Sequence, residues 1–183
     1  KVDLFYEKDL LSGLILLQNA RIITMNGDEV IENGEILIEN NRIIGVGARG
    51  SLNVPKQAHI IDVSGKTLLP GFIDTHAHLR PHWGLHKGQV WQYMANLGYG
   101  ITTTRDPQTG TTDVLTYGDM VDAGMLLGPR IYSTGPGVGF WAYQIKSFEH
   151  AKKVLTQYSD YYHTKTIKMY VTGNRKQRQW IIM

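Results

Sequence analysis

The sequence contains no cysteine, which excludes a disulfide framework and any thiolate metal site, so a bound metal must be held by nitrogen and oxygen donors. Long apolar runs are missing too. The longest aliphatic stretch, Leu14 to Leu17, is far short of the roughly 20 residues that cross a bilayer, and nothing marks a membrane protein. No Asn-x-Ser/Thr glycosylation acceptor occurs. Concentrated charge of one sign is absent as well: the formal charge is +3, from 19 Lys and Arg against 16 Asp and Glu, and the two signs are interleaved. The basic stripe of a nucleic-acid-binding surface is therefore lacking.

What is present is enough to fold. With 183 residues, 42% hydrophobic and 19% charged, the chain can build one ordinary core or two small ones. It begins at Lys1 without an initiator Met and ends in the apolar run Gln179-Trp-Ile-Ile-Met183, with no helix-stopping Gly or Pro. Both ends are expected to be cut. The compartment is left open: cytoplasmic, or periplasmic or secreted if a signal has been lost.

From Leu14 to about Leu69, short strand-like runs are separated by turn residues. Asn26-Gly27 and Asn33-Gly34 are hairpin signals, because both residue types accept the positive φ such turns need. In Glu35-Ile36-Leu37-Ile38-Glu39 polar and apolar positions partly alternate, as on a sheet buried on one face. After Pro70-Gly71 the rhythm changes. Strand-like runs recur at Leu69 to Thr75, Ile101 to Arg105, Arg130 to Thr134 and Thr166 to Val171, with helical stretches between them, the pattern of consecutive βα units. Val90, Met94 and Leu97 keep helical spacing up to Gly98; a second helix is expected from Asp113 to Gly124. Ser147 is placed to cap a third, whose Phe148, Ala151, Leu155 and Tyr158 share a stripe. Arg175 to Met183 would begin another helix.

The expected class is α/β: a partial TIM (β/α)8 barrel of about four βα units preceded by a small β-sandwich portion. The expected divisions are a linker over 1–13 from an upstream domain, a β unit over 14–69 and the first half of a barrel over 70–183. Half a barrel has open sheet edges, which call for the other half or a partner chain.

The sharpest local signal is Asp74-Thr75-His76-Ala77-His78 at the end of the first barrel-type strand. Strand alternation would turn Asp74, His76 and His78 to one side, where two imidazoles can converge on a cation at the rim that carries the site in parallel barrels. Two hydrogen-bonded rim histidines are the plainer reading. Asp74 would orient the strand or a ligand, or bond a nearby backbone N–H. Arg80 and Arg105 lie near strand ends, where an arginine can clamp a substrate carboxylate. For Arg105 an ion pair with Asp106 is the alternative. His82 and His86 flank Trp83 in a stretch broken by Pro81 and Gly84, expected to be a loop or lid and not a second metal site. His59, His150 and His163 read as surface residues. Gly45-Val-Gly-Ala-Arg-Gly50 fits a dinucleotide fingerprint, but Ser51-Leu-Asn-Val-Pro55 follows it where a helix is required, so that function is rejected. Gly135-Pro-Gly-Val-Gly139 is read as a flexible loop.

Taken together, LLPGFIDTHAHL and the preceding "LLQNARIITM … GEILIENNRIIGVG" resemble the amidohydrolase superfamily, most of all its prolidase-like and imidazolonepropionase-like branch, including members fused behind a TolB-like propeller. The resemblance runs from about Leu14 to the end of the chain. It implies a composite β-sandwich beside a (β/α)8 barrel, and one or two divalent metals, usually zinc, that generate hydroxide to attack an amide-type carbon. On that resemblance His76 and His78 are metal ligands. Lys168 stands where many relatives carry a lysine carbamate bridging two metals; flanked by Ile167 and Met169, its amine would be partly desolvated and readier to react with carbon dioxide, the alternative being a lysine paired with a carboxylate. Tyr170 would share its face, contacting substrate or filling core. The family's remaining ligands, two histidines and an aspartate that is also the general base, would follow the fifth, sixth and eighth barrel strands and have no counterpart here. The implied function is hydrolysis of C–N bonds in a dipeptide, an N-acyl amino acid or a cyclic amide, with the fragment alone inactive. The expected partners are that small substrate and either a second copy of the chain or the rest of the barrel, with no nucleic acid and no membrane. The competing readings are a self-associating half-barrel module without catalysis and a hydrolase-derived structural domain that holds no metal.

Overall fold

The structure is a computed structural model in which residues 12–139 and 142–183 are described. The linker expected over 1–13 thus lies mostly outside the described residues. Two compact units divide near Gly71 and Phe72.

The first unit is a five-stranded sheet in the order β3-β2-β1-β4, with β5 also on β1. Strands β1 (Leu14–Ile23), β2 (Val30–Glu39) and β3 (Arg42–Ala48) form an antiparallel meander, and β4 (His59–Asp62) and β5 (Thr67–Leu68) run parallel to β1. Leu16, Ala20, Ile22 and Leu37 are its buried apolar residues. Glu35 is buried among them, its carboxylate accepting the Leu52 N–H at 2.9 Å.

The hairpin signals divide. Asn26-Gly27 does lie in the β1–β2 turn, with Gly27 at φ +60°. The turn expected at Asn33-Gly34 is not there: both residues are inside β2, which turns at Asn40, φ 54°. Gly34 is used instead for close packing, since a Cβ there would lie 2.4 Å from Ile22 Cδ1. The Gly45-to-Gly50 segment lies in and just after β3, with no helix behind it.

The second unit opens as βαβαβ. Strands β6 (Phe72–Asp74), β7 (Ile101–Asp106) and β8 (Arg130–Ser133) are parallel and in sequence order; α1 (Trp91–Gly98) and α2 (Asp113–Asp122) connect them. Val90, Tyr93, Val114, Tyr117 and Leu126 form the core beneath. The α3 helix (Phe148–Asp160) is capped as expected, Ser147 Oγ accepting the His150 N–H at 3.1 Å. Its Ala151, Val154 and Tyr158 pack with Val138, Ile145 and Ile181 in a second core cluster, and α4 (Arg175–Ile182) follows.

The fourth strand is a correction. The run Thr166 to Val171 yields only the two-residue β10 (Met169–Tyr170), and its parallel partner is β9 (Val138–Gly139), not β8. Between β8 and β9 the chain passes through Gly135, at φ +69°, and Pro136, which has no N–H to carry a ladder onward. Lys168 consequently precedes a strand instead of lying on one, its carbonyl accepting the Val138 N–H at 2.9 Å.

Candidate metal and substrate site

Strand β6 ends at Asp74, so His76 and His78 are on the turn beyond it and not on an alternating strand face. The turn is built locally. Asp74 Oδ1 accepts the His76 N–H at 2.9 Å, the Ala77 N–H donates to the Arg105 carbonyl at 2.9 Å, and the Leu79 N–H closes back on the Ala77 carbonyl at 2.9 Å. Of the two roles foreseen for Asp74, the structure shows the backbone bond. The turn sets the two imidazoles side by side, their centroids 5.0 Å apart and edge to face.

His78 Nδ1 lies 3.4 Å from the Gln108 carbonyl oxygen. With that nitrogen as the N–H donor, Nε2 is left with its lone pair, the form in which imidazole binds a metal. His76, His78, Lys168 and Tyr170 line one cavity of about 710 Å³, together with Arg80 and Trp83. Lys168 Nζ lies 6.0 Å from the Tyr170 ring centroid, so the two side chains share a wall although the strand expected to align them is short. Arg105 is in β7 and turns elsewhere: its Nη2 donates to Thr166 Oγ1 at 2.5 Å. Arg105 is not among the cavity-lining residues.

The donor set tests what the site can hold. Two imidazoles are nitrogen donors suited to zinc, and among the described residues no group of three or more His, Cys, Asp or Glu converges. The residues fit part of a metal site.

Two acids that the sequence reading gave no site role support this architecture. Asp106, fully buried at the end of β7, accepts the Gln108 N–H at 3.0 Å. Burial pushes its carboxyl up to about 7, against the opposing pull of the Gln108 and Leu79 backbone N–H groups and the Arg105 charge. Its bond to Gln108 steadies the segment whose carbonyl faces His78. Asp113, at the start of α2, accepts from the Gly84 N–H at 3.3 Å and pairs with His86 Nε2 at 2.8 Å. Its carboxyl is held below the usual range by the Thr111 hydroxyl first and by His86 and Gly84 after it. The 81–90 segment, read from sequence as a loop, is a loop fastened to α2. A Thr-Thr-Asp triplet at a helix start was the visible signal for Asp113; for Asp106 it was an acid between a β-branched strand and a proline.

No family profile matches the chain. The imidazolonepropionase of Geobacillus thermodenitrificans (strain NG80-2) is 32% identical over 146 residues, 71% of this chain and 34% of that enzyme. Among solved structures, a Bifidobacterium longum protein provisionally assigned as a prolidase superposes with a TM-score of 0.70 at 24% identity, over 93% of this chain and 46% of that one. A Xaa-Pro dipeptidase with methionine in its active site gives 0.65 at 17% identity, over 93% of this chain and 53% of that one. The chain spans about a third of the curated relative it matches and about half of these two structures. Sequence and fold together support the amidohydrolase superfamily. Within it, they support the prolidase-like and imidazolonepropionase-like branch.

Proposed function

We propose that this chain is the first part of a (β/α)8 barrel in a metal-dependent hydrolase that cleaves C–N bonds in dipeptides, N-acyl amino acids or cyclic amides. The observation that carries the reading is the convergence of His76 and His78, 5.0 Å apart at the end of a parallel strand, on a cavity they share with Lys168. The likeness to an imidazolonepropionase and to prolidase-type folds supports the same reaction class.

In this reading His76 and His78 hold a divalent metal, with zinc the best match to nitrogen donors, and Lys168 is a third ligand as its carbamate. When bound, the metal supplies Lewis acidity and lowers the pKa of water toward neutrality. The chain's own residues do the rest. The Gln108 carbonyl fixes the His78 tautomer, Asp74 sets the turn that presents His76, and Arg80 and Tyr170 orient the substrate from the cavity wall. Arg105 positions the segment leading to Lys168 through Thr166 and not by touching substrate. In the same reading the general base and the remaining ligands come from the rest of the barrel, and the 183-residue chain is inactive alone.

The test uses the protein that carries this chain, purified whole and loaded with zinc, on a panel of dipeptides, N-acyl amino acids and cyclic amides. Cleavage of at least one class, lost on His76→Ala, is the expected result. A zinc-loaded protein that cleaves nothing on the panel would contradict the proposal.

A further inference from the structure

Beside the histidine cavity lies a second one of about 680 Å³, whose walls include Arg80, His82, Trp83, Lys87 and Trp91. Arg80, Pro81 and Trp83 line both, so the two cavities adjoin. Among the described residues, His76, His78, Arg80, His82, Lys87 and Lys168 line the two cavities and no Asp or Glu does. Such a surface selects an anion. Two large indoles stand exposed around it, Trp83 at 58% and Trp91 at 73%.

The wall is fastened in place. His86 and Gly84 are held by Asp113, the Lys87 N–H donates to Tyr117 Oη at 2.9 Å, and Gln89 Nε2 donates to the Leu127 carbonyl at 3.0 Å. Trp83 is seated against Gly110, where a Cβ would lie 3.1 Å from the indole. The backbone that carries Lys87 and the Trp83 indole is therefore fixed before any ligand arrives, which lowers the ordering cost of binding.

The geometry points to this second cavity as a subsite for the residue bearing a free carboxylate at one end of the substrate. Arg80 and Lys87 take the carboxylate, the guanidinium through its planar fork and the ammonium as a point charge. Trp83 and Trp91 cover a large apolar or aromatic side chain on the same residue. The substrate class is narrowed to N-acyl amino acids and dipeptides ending in such a residue, and cyclic amides without a carboxylate are disfavoured. This rests on the hydrolase reading for the bond that is cut, but binding at the subsite requires neither metal nor turnover.

Calorimetric titration of the whole protein that carries this chain, kept metal-free, with N-acetyl-L-phenylalanine and with its uncharged C-terminal amide tests it. The acid is expected to bind about tenfold more tightly than the amide, the size of a charge-assisted hydrogen bond. Lys87→Gln should remove most of that preference, and Trp91→Ala should weaken both ligands, with folding of each variant checked by circular dichroism. Equal binding of acid and amide, no binding of the acid, or full affinity in both folded variants would overturn the subsite. The two readings fail separately: a chain that prefers the acid in this way but belongs to a protein that cleaves nothing keeps the subsite and loses the hydrolase, and the reverse pattern does the opposite.

Discussion

Burying a carboxyl with one oxygen unanswered is destabilising unless it is neutral, and Asp106 is such a carboxyl: fully buried, with Oδ2 lacking a hydrogen-bond partner. Its folded-state value, about 7, lies above the ordinary 3.8. The folded chain therefore holds a proton that the unfolded chain releases, and stability falls as pH rises from about 4 to about 7. At about 1.4 kcal/mol per unit, the loss at this site is on the order of a few kcal/mol. Asp106→Asn keeps an acceptor for the Gln108 N–H and removes the titration. Urea unfolding of both proteins at about pH 5 and about pH 7.5 should show the variant gaining on the parent as pH rises; parallel curves would mean that Asp106 is not the buried neutral acid described. The spacing of His76 and His78 singles them out in the sequence, and the structure puts both rings on one turn. Asp106 was not legible there, since burial of an acid depends on what packs over it, here the turn carrying Leu79 and the segment carrying Gln108.

At the scale of elements, identical dipeptides had different fates. Asn26-Gly27 turns the chain because nothing else claims it, whereas Asn33-Gly34 continues β2 because Gly34 faces Ile22 across the sheet. Gly34→Ala should then cost about 1–3 kcal/mol through overpacking. Gly98→Ala, in α1 with nothing within 4 Å of the added Cβ, should be neutral or stabilising by up to about 1 kcal/mol. Denaturant midpoints of the two variants check this, and a neutral Gly34→Ala would return that glycine to a turn-type role. Helix α3 was legible through its Ser147 cap and through Ala151 and Tyr158, which are local signals, while the buried Val154 lay outside the expected stripe and Phe148 lies outside the core cluster. The partner of the fourth strand was not legible: Thr166 to Val171 has strand composition, but it pairs with β9, some 30 residues earlier and beyond the interruption of β8 at Gly135-Pro136.

For the molecule as a whole, the alternation of strands and helices after Gly71 was readable from period alone, and it set β6, β7 and β8 side by side. That sheet leaves Phe72, Ile73 and Tyr132 largely exposed. The site follows the same logic. Its candidate ligands come from the turn after β6 and from the residue before β10, far apart in sequence and brought to one cavity by the fold. The measurement that reaches the central claim most directly is zinc affinity, by competition titration, of the chain and of its His76→Ala/His78→Ala double variant. The account predicts weak binding by the chain, as suits part of a ligand set, and at least a tenfold loss in the double variant. Equal zinc affinity in the two would contradict it, leaving the imidazoles as rim histidines with no metal role.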